Sequence, residues 1–201
     1  MSINQLLTKK RKEINFDGEW FDLIGHPEVK GLWLIWGQSG QGKTRFALQL
    51  TKYLALKDYK VAYISLEEGD SKSLSKAFLE TGVADCQRKI VVWYEMIAKD
   101  IIKKLNLQRS PQIVFIDSLQ HLRKNYAWYI KLKERFPKKL FIIISHANEN
   151  NKPDGKAAKS VHYDAFVKIQ VKDFIAYATS RYGGGTPFTI WSEGAKTNNK
   201  S

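Results

Sequence analysis

The sequence predicts an α/β fold in which a mostly parallel central sheet is flanked by helices and ends in C-terminal antiparallel strands. Two observations support this prediction. Short runs rich in β-branched and aromatic residues alternate with longer amphipathic segments, which is typical of a parallel sheet covered by helices. After Tyr163 the helical segments stop, and three strand-like runs follow one another across turns. A chain of 201 residues has room for one such domain.

The individual elements follow from these runs in chain order. The parallel strands are predicted at residues 32–36, 61–66, 90–93, 113–116 and 140–145. The helices are predicted at residues 43–56, 71–81, 96–105 and 119–136. The C-terminal strands are predicted in AFVKIQV, DFIAYATS and FTIW. We assign residues 1–18 to a basic N-terminal arm, 19–191 to the core and 192–201 to a disordered, polar tail.

Composition narrows the class of protein. The N-terminus lacks the apolar core of a signal peptide, and no run approaches the roughly 20 apolar residues of a membrane span, so we expect a cytoplasmic protein. A single cysteine, Cys86, excludes an intramolecular disulfide. The formal net charge of +13 favours nucleic acid as a partner over an anionic membrane surface. A lysine-rich solvated surface without a partner is the alternative.

The segment GQSGQGKT, residues 37–44, matches the phosphate-binding pattern G-x-x-x-x-G-K-[ST] between a predicted strand and a predicted helix. Its glycines allow backbone N–H groups to turn around phosphate oxygens, and the helix directs its positive end at the anion. Lys43 brings a charge to the β and γ phosphates, and Thr44 offers a hydroxyl to Mg²⁺. A plain glycine-rich turn is the alternative. The predicted nucleotide-binding residues are Gly37, Gln38, Ser39, Gly40, Gln41, Gly42, Lys43, Thr44 and Arg45.

Carboxylates follow two other predicted strands. In IVFID, four apolar residues lead to Asp117, which we predict to anchor Mg²⁺ with Thr44 because ligands of open α/β sheets bind at the carboxyl ends of the strands. VAYISL leads to Glu67 and Glu68. We expect Glu67 to accept a proton from the water that attacks the γ phosphate. Alternatively, both glutamates cap or solvate the next helix, as Asp70 and Ser71 would.

Together these motifs resemble the RecA-like ATPase core shared by replicative hexameric helicases and RadA-type recombination proteins. The resemblance runs from about residue 19 to 191: GLWLIWGQSGQGKT resembles the first strand and phosphate loop, YISLEE the strand with the catalytic glutamate, and IVFIDSLQHL the metal-anchoring strand with Asp117, Ser118 and Gln120. It implies ATP as the nucleotide, Mg²⁺ as its metal and a homo-oligomeric ring or filament.

Two further catalytic candidates rest on this resemblance. His146, which ends FIIISH, lies where the family has a polar residue that contacts the γ phosphate, although by chemistry it could equally be a core histidine. Arg181 in ATSRYGGG lies where the family carries an arginine finger to the neighbouring subunit. The chain departs from the family in having Thr179 in place of a lysine, so an arginine beside a glycine-rich turn is the alternative.

The nucleic-acid partner is predicted to bind the polar segment 147–163. This segment carries Lys152, Lys156 and Lys159, and loops at this position in the RecA-like family touch single-stranded DNA. A mobile surface connection is the alternative. The basic run KKRK in the arm could also contact DNA, belong to a helix packed on an adjacent subunit, or be a solvated tail.

The predicted function is ATP binding and hydrolysis coupled to single-stranded DNA in recombination or replication. The collar domain of the helicases and the zinc motif and protease-like domain of RadA-type proteins do not fit in this sequence, which resembles short phage-encoded RecA-core proteins. One alternative is a non-catalytic nucleotide-dependent switch with a protein partner. Another is the motor subunit of a split helicase whose other parts lie on a separate chain.

Overall fold

The computed structural model of the protein describes residues 1–198. Its strands are β1 (Gly31–Gly37), β2 (Val61–Ser65), β3 (Ile90–Tyr94), β4 (Ile113–Asp117), β5 (Leu140–His146), β6 (Val167–Lys172), β7 (Ile175–Ser180) and β8 (Phe188–Thr189). Its helices are α1 (Ile3–Leu7), α2 (Gly18–Ile24), α3 (Lys43–Leu56), α4 (Lys72–Thr81), α5 (Ala98–Leu105), α6 (Leu119–Leu122), α7 (Tyr126–Arg135), α8 (Gly155–Asp164) and α9 (Ser192–Asn198). A short 3₁₀ helix covers Val83–Cys86.

Within residues 1–198 the strands form one eight-stranded sheet in the order β3-β2-β4-β5-β1-β6-β7-β8. The first six strands in this order pair in parallel, whereas β7 and β8 are antiparallel to their neighbours. The prediction of a mostly parallel sheet with C-terminal antiparallel strands is confirmed. Because parallel strands share one direction, β1, β2, β4 and β5 end at the same edge of the sheet, which is where ligands bind in such folds.

Alternating side chains of the buried strands point to two cores, one on each face. Trp33, Ile35 and Phe115 pack on one face with α2, α3 and α4, while Leu34 and Ile116 pack on the other with α5, α7 and α8. The residues of β1, β2 and β4 are all buried. A strand covered on both faces is apolar along most of its length, which is why these strands could be predicted from the sequence.

Two predicted segments differ from the structure. The helix predicted at 119–136 is divided into α6 and α7, because Arg123 adopts a left-handed conformation (φ 52°) and the Asn125 side chain caps α7 by accepting from the Trp128 N–H. The segment predicted as a polar loop at 147–163 is helical from Gly155 onward, since Ala158 and Val161 bury one face of α8 against the sheet.

The chain termini also differ from the predicted arm and tail. Ile14 and Phe16 are buried in the core, so residues 1–18 are not wholly an appended arm. Predicted disorder is wrong for 192–198, where α9 forms and buries Ala195, and residues 199–201 lie outside the described part. None of the helices in residues 1–198 combines the length and the apolar character needed to cross a membrane.

Candidate active site

The phosphate loop connects β1 to α3 at the carboxyl edge of the sheet. Gly40 and Gly42 have φ values of 75° and 97°, which side chains rarely allow. The Lys43 Nζ atom, at the first residue of α3, donates to the Gln38 carbonyl oxygen over 2.8 Å. A cavity of about 360 Å³ opens over this loop, and its other walls include Glu67, Glu68 and Asp117. The loop and the carboxylates that were predicted separately therefore face one space.

Asp117 lies at the end of β4, with a side chain that is almost wholly buried. The Tyr63 hydroxyl donates to its Oδ2 atom. Burial raises the pKa of Asp117 to about 6, although the Tyr63 hydrogen bond and the nearby Lys43 charge act in the opposite direction. A buried carboxylate with this raised pKa is stabilised by a cation. With the Thr44 hydroxyl on the same cavity, its oxygens fit the hard-ligand preference of Mg²⁺.

Glu67 follows β2 and interacts with two histidines from other elements. Its Oε2 atom lies 2.9 Å from the His146 Nε2 atom and 3.6 Å from the His121 Nδ1 atom. Partial burial raises the pKa of Glu67, but hydrogen bonds from His146 and Ser118 and the His121 charge outweigh it, so the pKa is lowered overall. Glu67 is thus an anion at neutral pH that faces the phosphate-loop cavity.

Gln120 joins this cluster to the segment that precedes α8. Its Nε2 atom donates to the Ser145 Oγ atom (2.9 Å) and to the Asp154 carbonyl oxygen (3.2 Å), and its Oε1 atom accepts from the His146 N–H (3.2 Å). One amide side chain therefore connects α6, the end of β5 and the start of α8. His146 itself is not in the core, because 31% of its side chain is exposed.

An aromatic wall of the cavity was not predicted. Phe174, at the tip of the β6–β7 hairpin, donates its backbone N–H to the Gln41 carbonyl oxygen over 3.3 Å. Its ring meets that of Trp191 edge to face at 5.1 Å, and the Arg45 guanidinium lies 5.5 Å from the Trp191 ring. Phe174 and Trp191 both line the cavity. Nothing in the local sequence marks them as site residues, because only the sheet order carries this hairpin to the phosphate loop.

Arg181 is not brought to the phosphate loop of its own chain. It follows β7, which runs antiparallel to β6, so it lies at the edge of the sheet opposite to the phosphate loop. Its guanidinium stacks on the Phe166 ring at 4.6 Å. Any contact with a nucleotide would involve the site of another subunit.

The three predicted nucleic-acid-binding lysines are divided between a turn and a helix. Lys152 lies on the turn before α8, whereas Lys156 and Lys159 lie on α8, and all three are exposed. Lys152 and Lys159 line a second cavity of about 560 Å³, together with Trp36 and Tyr163. Tyr163 is 79% exposed, so the cavity combines positive charges with an accessible aromatic ring.

Comparison with known proteins places the chain by structure alone. No protein-family model matches it, and neither does any curated protein. The flagellar accessory protein FlaH from Methanocaldococcus jannaschii aligns with a TM-score of 0.61 at 14% identity, covering 90% of this chain and 96% of that chain. A KaiC-like protein from Pyrococcus horikoshii OT3 gives 0.60 at 19% identity, covering 86% and 88%. The ATPase domain of G40P gives 0.57 at 15% identity, covering 83% of each chain.

These likenesses, with the sheet order and the phosphate loop, define the chain as a RecA-like P-loop fold. The fold that the motifs predicted is thereby confirmed. At identities of 14–19% a structural likeness establishes architecture, so the activity of this chain is argued from its own residues.

Proposed function

We propose that the protein binds ATP with Mg²⁺, hydrolyses its γ phosphate and couples this cycle to single-stranded DNA in recombination or replication. One observation carries the proposal: Lys43 at the start of α3, Glu67 after β2 and Asp117 at the end of β4 line one cavity over the phosphate loop. A cation for phosphate oxygens, a carboxylate for a metal and a carboxylate for a proton are the groups that phosphoryl transfer to water requires.

Each residue has a distinct role in this proposal. Lys43 and the loop N–H groups bind the phosphates, and Thr44 and Asp117 hold Mg²⁺, which neutralises charge on the transferring group when bound. Glu67 Oε2 takes a proton from water as the water oxygen bonds to the γ phosphorus and the bond to the β-phosphate oxygen breaks. His146 helps to lower the pKa of Glu67, and the hydrogen bond from its N–H to Gln120 connects it to the segment before α8.

The aromatic wall supports a nucleoside as the rest of the ligand. Phe174 and Trp191 offer ring surface beside the phosphate loop, and Arg45 lies over the Trp191 ring. A base stacked there would have its phosphates directed at the glycines of the loop. Rings of this kind bind any base, so the choice of ATP rests on the resemblance to RecA-like ATPases.

The second cavity supports the DNA partner. Lys152 and Lys159 would contact backbone phosphates, and the exposed ring of Tyr163 could stack on a base. Binding of this type depends on salt because phosphate contacts release counterions. The overall charge of +13 acts in the same direction. We further propose a homo-oligomeric ring or filament, in which Arg181 would complete the site of a neighbouring subunit.

Steady-state ATP hydrolysis, measured with and without single-stranded DNA, tests the catalytic part. Glu67→Gln is expected to lower kcat by about 10²–10⁴-fold, because it removes the general base, while ATP affinity stays within about threefold of the wild type. We expect DNA to stimulate the wild type and not the variant. Tight ATP binding without turnover in either condition would contradict the proposal and favour the nucleotide-dependent switch with a protein partner.

Charge reversal tests the DNA part. The double variant Lys152→Glu/Lys159→Glu should weaken binding of an oligothymidine by about tenfold or more and reduce the dependence of affinity on salt. The matched control is Lys99→Glu/Lys103→Glu on α5, which changes the net charge equally at residues that do not line the second cavity. Equal losses in both variants would indicate attraction by net charge alone and remove the second cavity from the proposal.

A further inference from the structure

Glu67, His121 and His146 form a group of metal-ligating side chains beside the proposed Mg²⁺ ligands. Each offers one ligand atom, and the three atoms all lie within 4.8 Å of one another. They are contributed by the end of β2, by α6 and by the end of β5. The cluster is therefore a product of the sheet order and has no counterpart in a local sequence motif.

The distances suit a small divalent cation. Ligand atoms about 2.0–2.1 Å from a tetrahedral Zn²⁺ are about 3.3 Å apart. The Glu67 Oε2 atom already lies 2.9 Å from the His146 Nε2 atom and 3.6 Å from the His121 Nδ1 atom. Exposed fractions of 31–40% leave the three side chains room for the small rotation that brings the imidazoles together. The cation would replace the hydrogen bond of 2.8 Å between Ser118 Oγ and His121 Nδ1.

The frame that carries these ligands is fixed. Gln120, next to His121 on α6, accepts from the His146 N–H and donates to the neighbouring Ser145 hydroxyl. The Glu67 N–H in turn donates to the Asp117 carbonyl oxygen at the end of β4 over 3.2 Å. The backbone positions of the three ligands are thus tied to one another before any metal binds, which lowers the cost of ordering the site.

The donor set selects the class of metal. Two imidazole nitrogens and one carboxylate oxygen favour Zn²⁺, Co²⁺ or Ni²⁺ over Mg²⁺, which prefers oxygen ligands and keeps several waters. Three protein ligands leave a coordination position open for water. The Asp117 and Thr44 oxygens form a separate, harder donor set on the same cavity.

We propose that Glu67, His121 and His146 form a binding site for a transition-metal dication of the Zn²⁺ class, distinct from the Mg²⁺ ligands Asp117 and Thr44. The site engages the same Glu67 oxygen that would accept the proton of the attacking water. Its occupation therefore inhibits hydrolysis. The inhibition rests on the proposed function, whereas the binding of the metal does not.

Binding is tested without nucleotide, by titrating metal-free protein with Co²⁺, following the visible absorption bands, and displacing Co²⁺ with Zn²⁺. All proteins carry Cys86→Ser, so that no thiolate contributes. One equivalent should bind to this background and to the His26→Ala control, whose histidine lies elsewhere on the surface. His121→Ala and His146→Ala should each lose at least tenfold in affinity, with unchanged circular dichroism. Unaltered affinity in either variant, or no stoichiometric binding, would overturn the proposal.

Hydrolysis at a fixed excess of Mg²⁺ tests the consequence. Micromolar Zn²⁺ should inhibit the wild type and the His26→Ala control, while His121→Ala, compared with its own zinc-free rate, should need at least tenfold more. Equal sensitivity in all three would overturn inhibition through this site. Metal binding with no ATP turnover in any protein would refute the proposed function and leave the metal site standing, and turnover without metal binding would do the reverse.

Discussion

The ends of β2 and β4 lie side by side in the sheet, yet their carboxylates have opposite surroundings. Ser65 pairs with Asp117 in the parallel register, and Glu67 follows two residues later. Asp117 is 6% exposed, and burial raises its pKa to about 6. The Glu67 side chain is 36% exposed, and although partial burial raises its pKa, two histidines lower it overall. Neighbouring positions at one edge of the sheet thus hold an acid that is stabilised by a cation and an acid that stays ionised.

This difference separates the two roles in the proposed reaction. A buried carboxylate whose neutral protein partner is a tyrosine hydroxyl gains most from a metal ion. A half-exposed carboxylate held by imidazoles keeps its charge and has access to water. Lys43 faces both: burial lowers its pKa, whereas the charges of Glu67 and Asp117 raise it. The surroundings of the two carboxylates, more than their identity as aspartate and glutamate, thus distinguish the proposed metal ligand from the proposed general base.

The largest effect is expected from removing the Lys43 amine, whose charge interacts with both Glu67 and Asp117. Lys43→Ala should weaken ATP binding by at least 100-fold, about 3 kcal/mol, because a charged contact to the phosphates is lost and two carboxylates then repel the ligand. Titration calorimetry measures the Kd. The control is Lys52→Ala on the same helix, whose amine pairs with the exposed Asp85. A Kd within threefold of the wild type would show that the loop does not bind the phosphates.

The second largest effect concerns the free energy of unfolding and the contribution that Asp117, at the end of β4, makes to it. Because the folded-state pKa of Asp117, about 6, lies above the ordinary 3.8, the folded state holds a proton that the unfolded state has lost between these values. The contribution of Asp117 to stability therefore falls as pH rises from about 4 to 6, by about 3 kcal/mol. Asp117→Asn remains neutral and can still accept from the Tyr63 hydroxyl.

Without metal and nucleotide, the Asp117→Asn variant should be more stable than the wild type by about 2–3 kcal/mol at pH 8 and equally stable at pH 4. Urea denaturation at both pH values measures the free energy of unfolding. A loss of stability at pH 8, or the same gain at both pH values, would mean that burial does not destabilise the ionised form.

The smallest effect is expected for Glu67, which follows β2. Its substitution should destabilise the protein, whereas the substitution of Asp117 should stabilise it. The lowered pKa of Glu67 means that its contribution to stability is present above its ordinary value of 4.5 and is lost as pH falls through the folded-state pKa. Since the pair with His146 is partly exposed, we expect Glu67→Gln to destabilise the protein by less than about 1 kcal/mol at pH 7 and not at pH 3. The same denaturation series measures it, and a gain at pH 7 would remove the contrast between the two strand ends.

Prediction from sequence succeeded where the determinants are local. The strands β1, β2, β4 and β5 were located because strands buried on both faces are continuous apolar runs, and α3 was predicted with its observed bounds of Lys43 and Leu56. Prediction failed where only a few residues determine whether a segment is helical. The left-handed Arg123 breaks the predicted helix at 119–136, and Ala158 with Val161 is too sparse an apolar pattern to reveal α8 among lysines.

The C-terminal helix shows the same limit. The sequence of α9 is polar, and its apolar contact comes from residues on other elements: Gly194 lies so close to the rings of Trp191 and Phe174 that a Cβ atom would meet them at 2.3 and 2.8 Å. A helix that forms by packing a glycine under a hairpin tip carries no periodic apolar stripe. Its order could not be predicted from composition.

The parallel sheet, the phosphate loop and the positions of Asp117 and Glu67 after buried strands could be predicted from local sequence, because glycine conformation and strand burial act on the residues that show the pattern. The surroundings of those groups depend on how the elements pack together. This packing sets Glu67 against His146, 79 residues away along the chain, brings Tyr63 to Asp117 across 54 residues, and carries Phe174 to the phosphate loop. These contacts depend on the order and register of the strands, which arise from packing across the whole sheet and leave no local trace in the sequence.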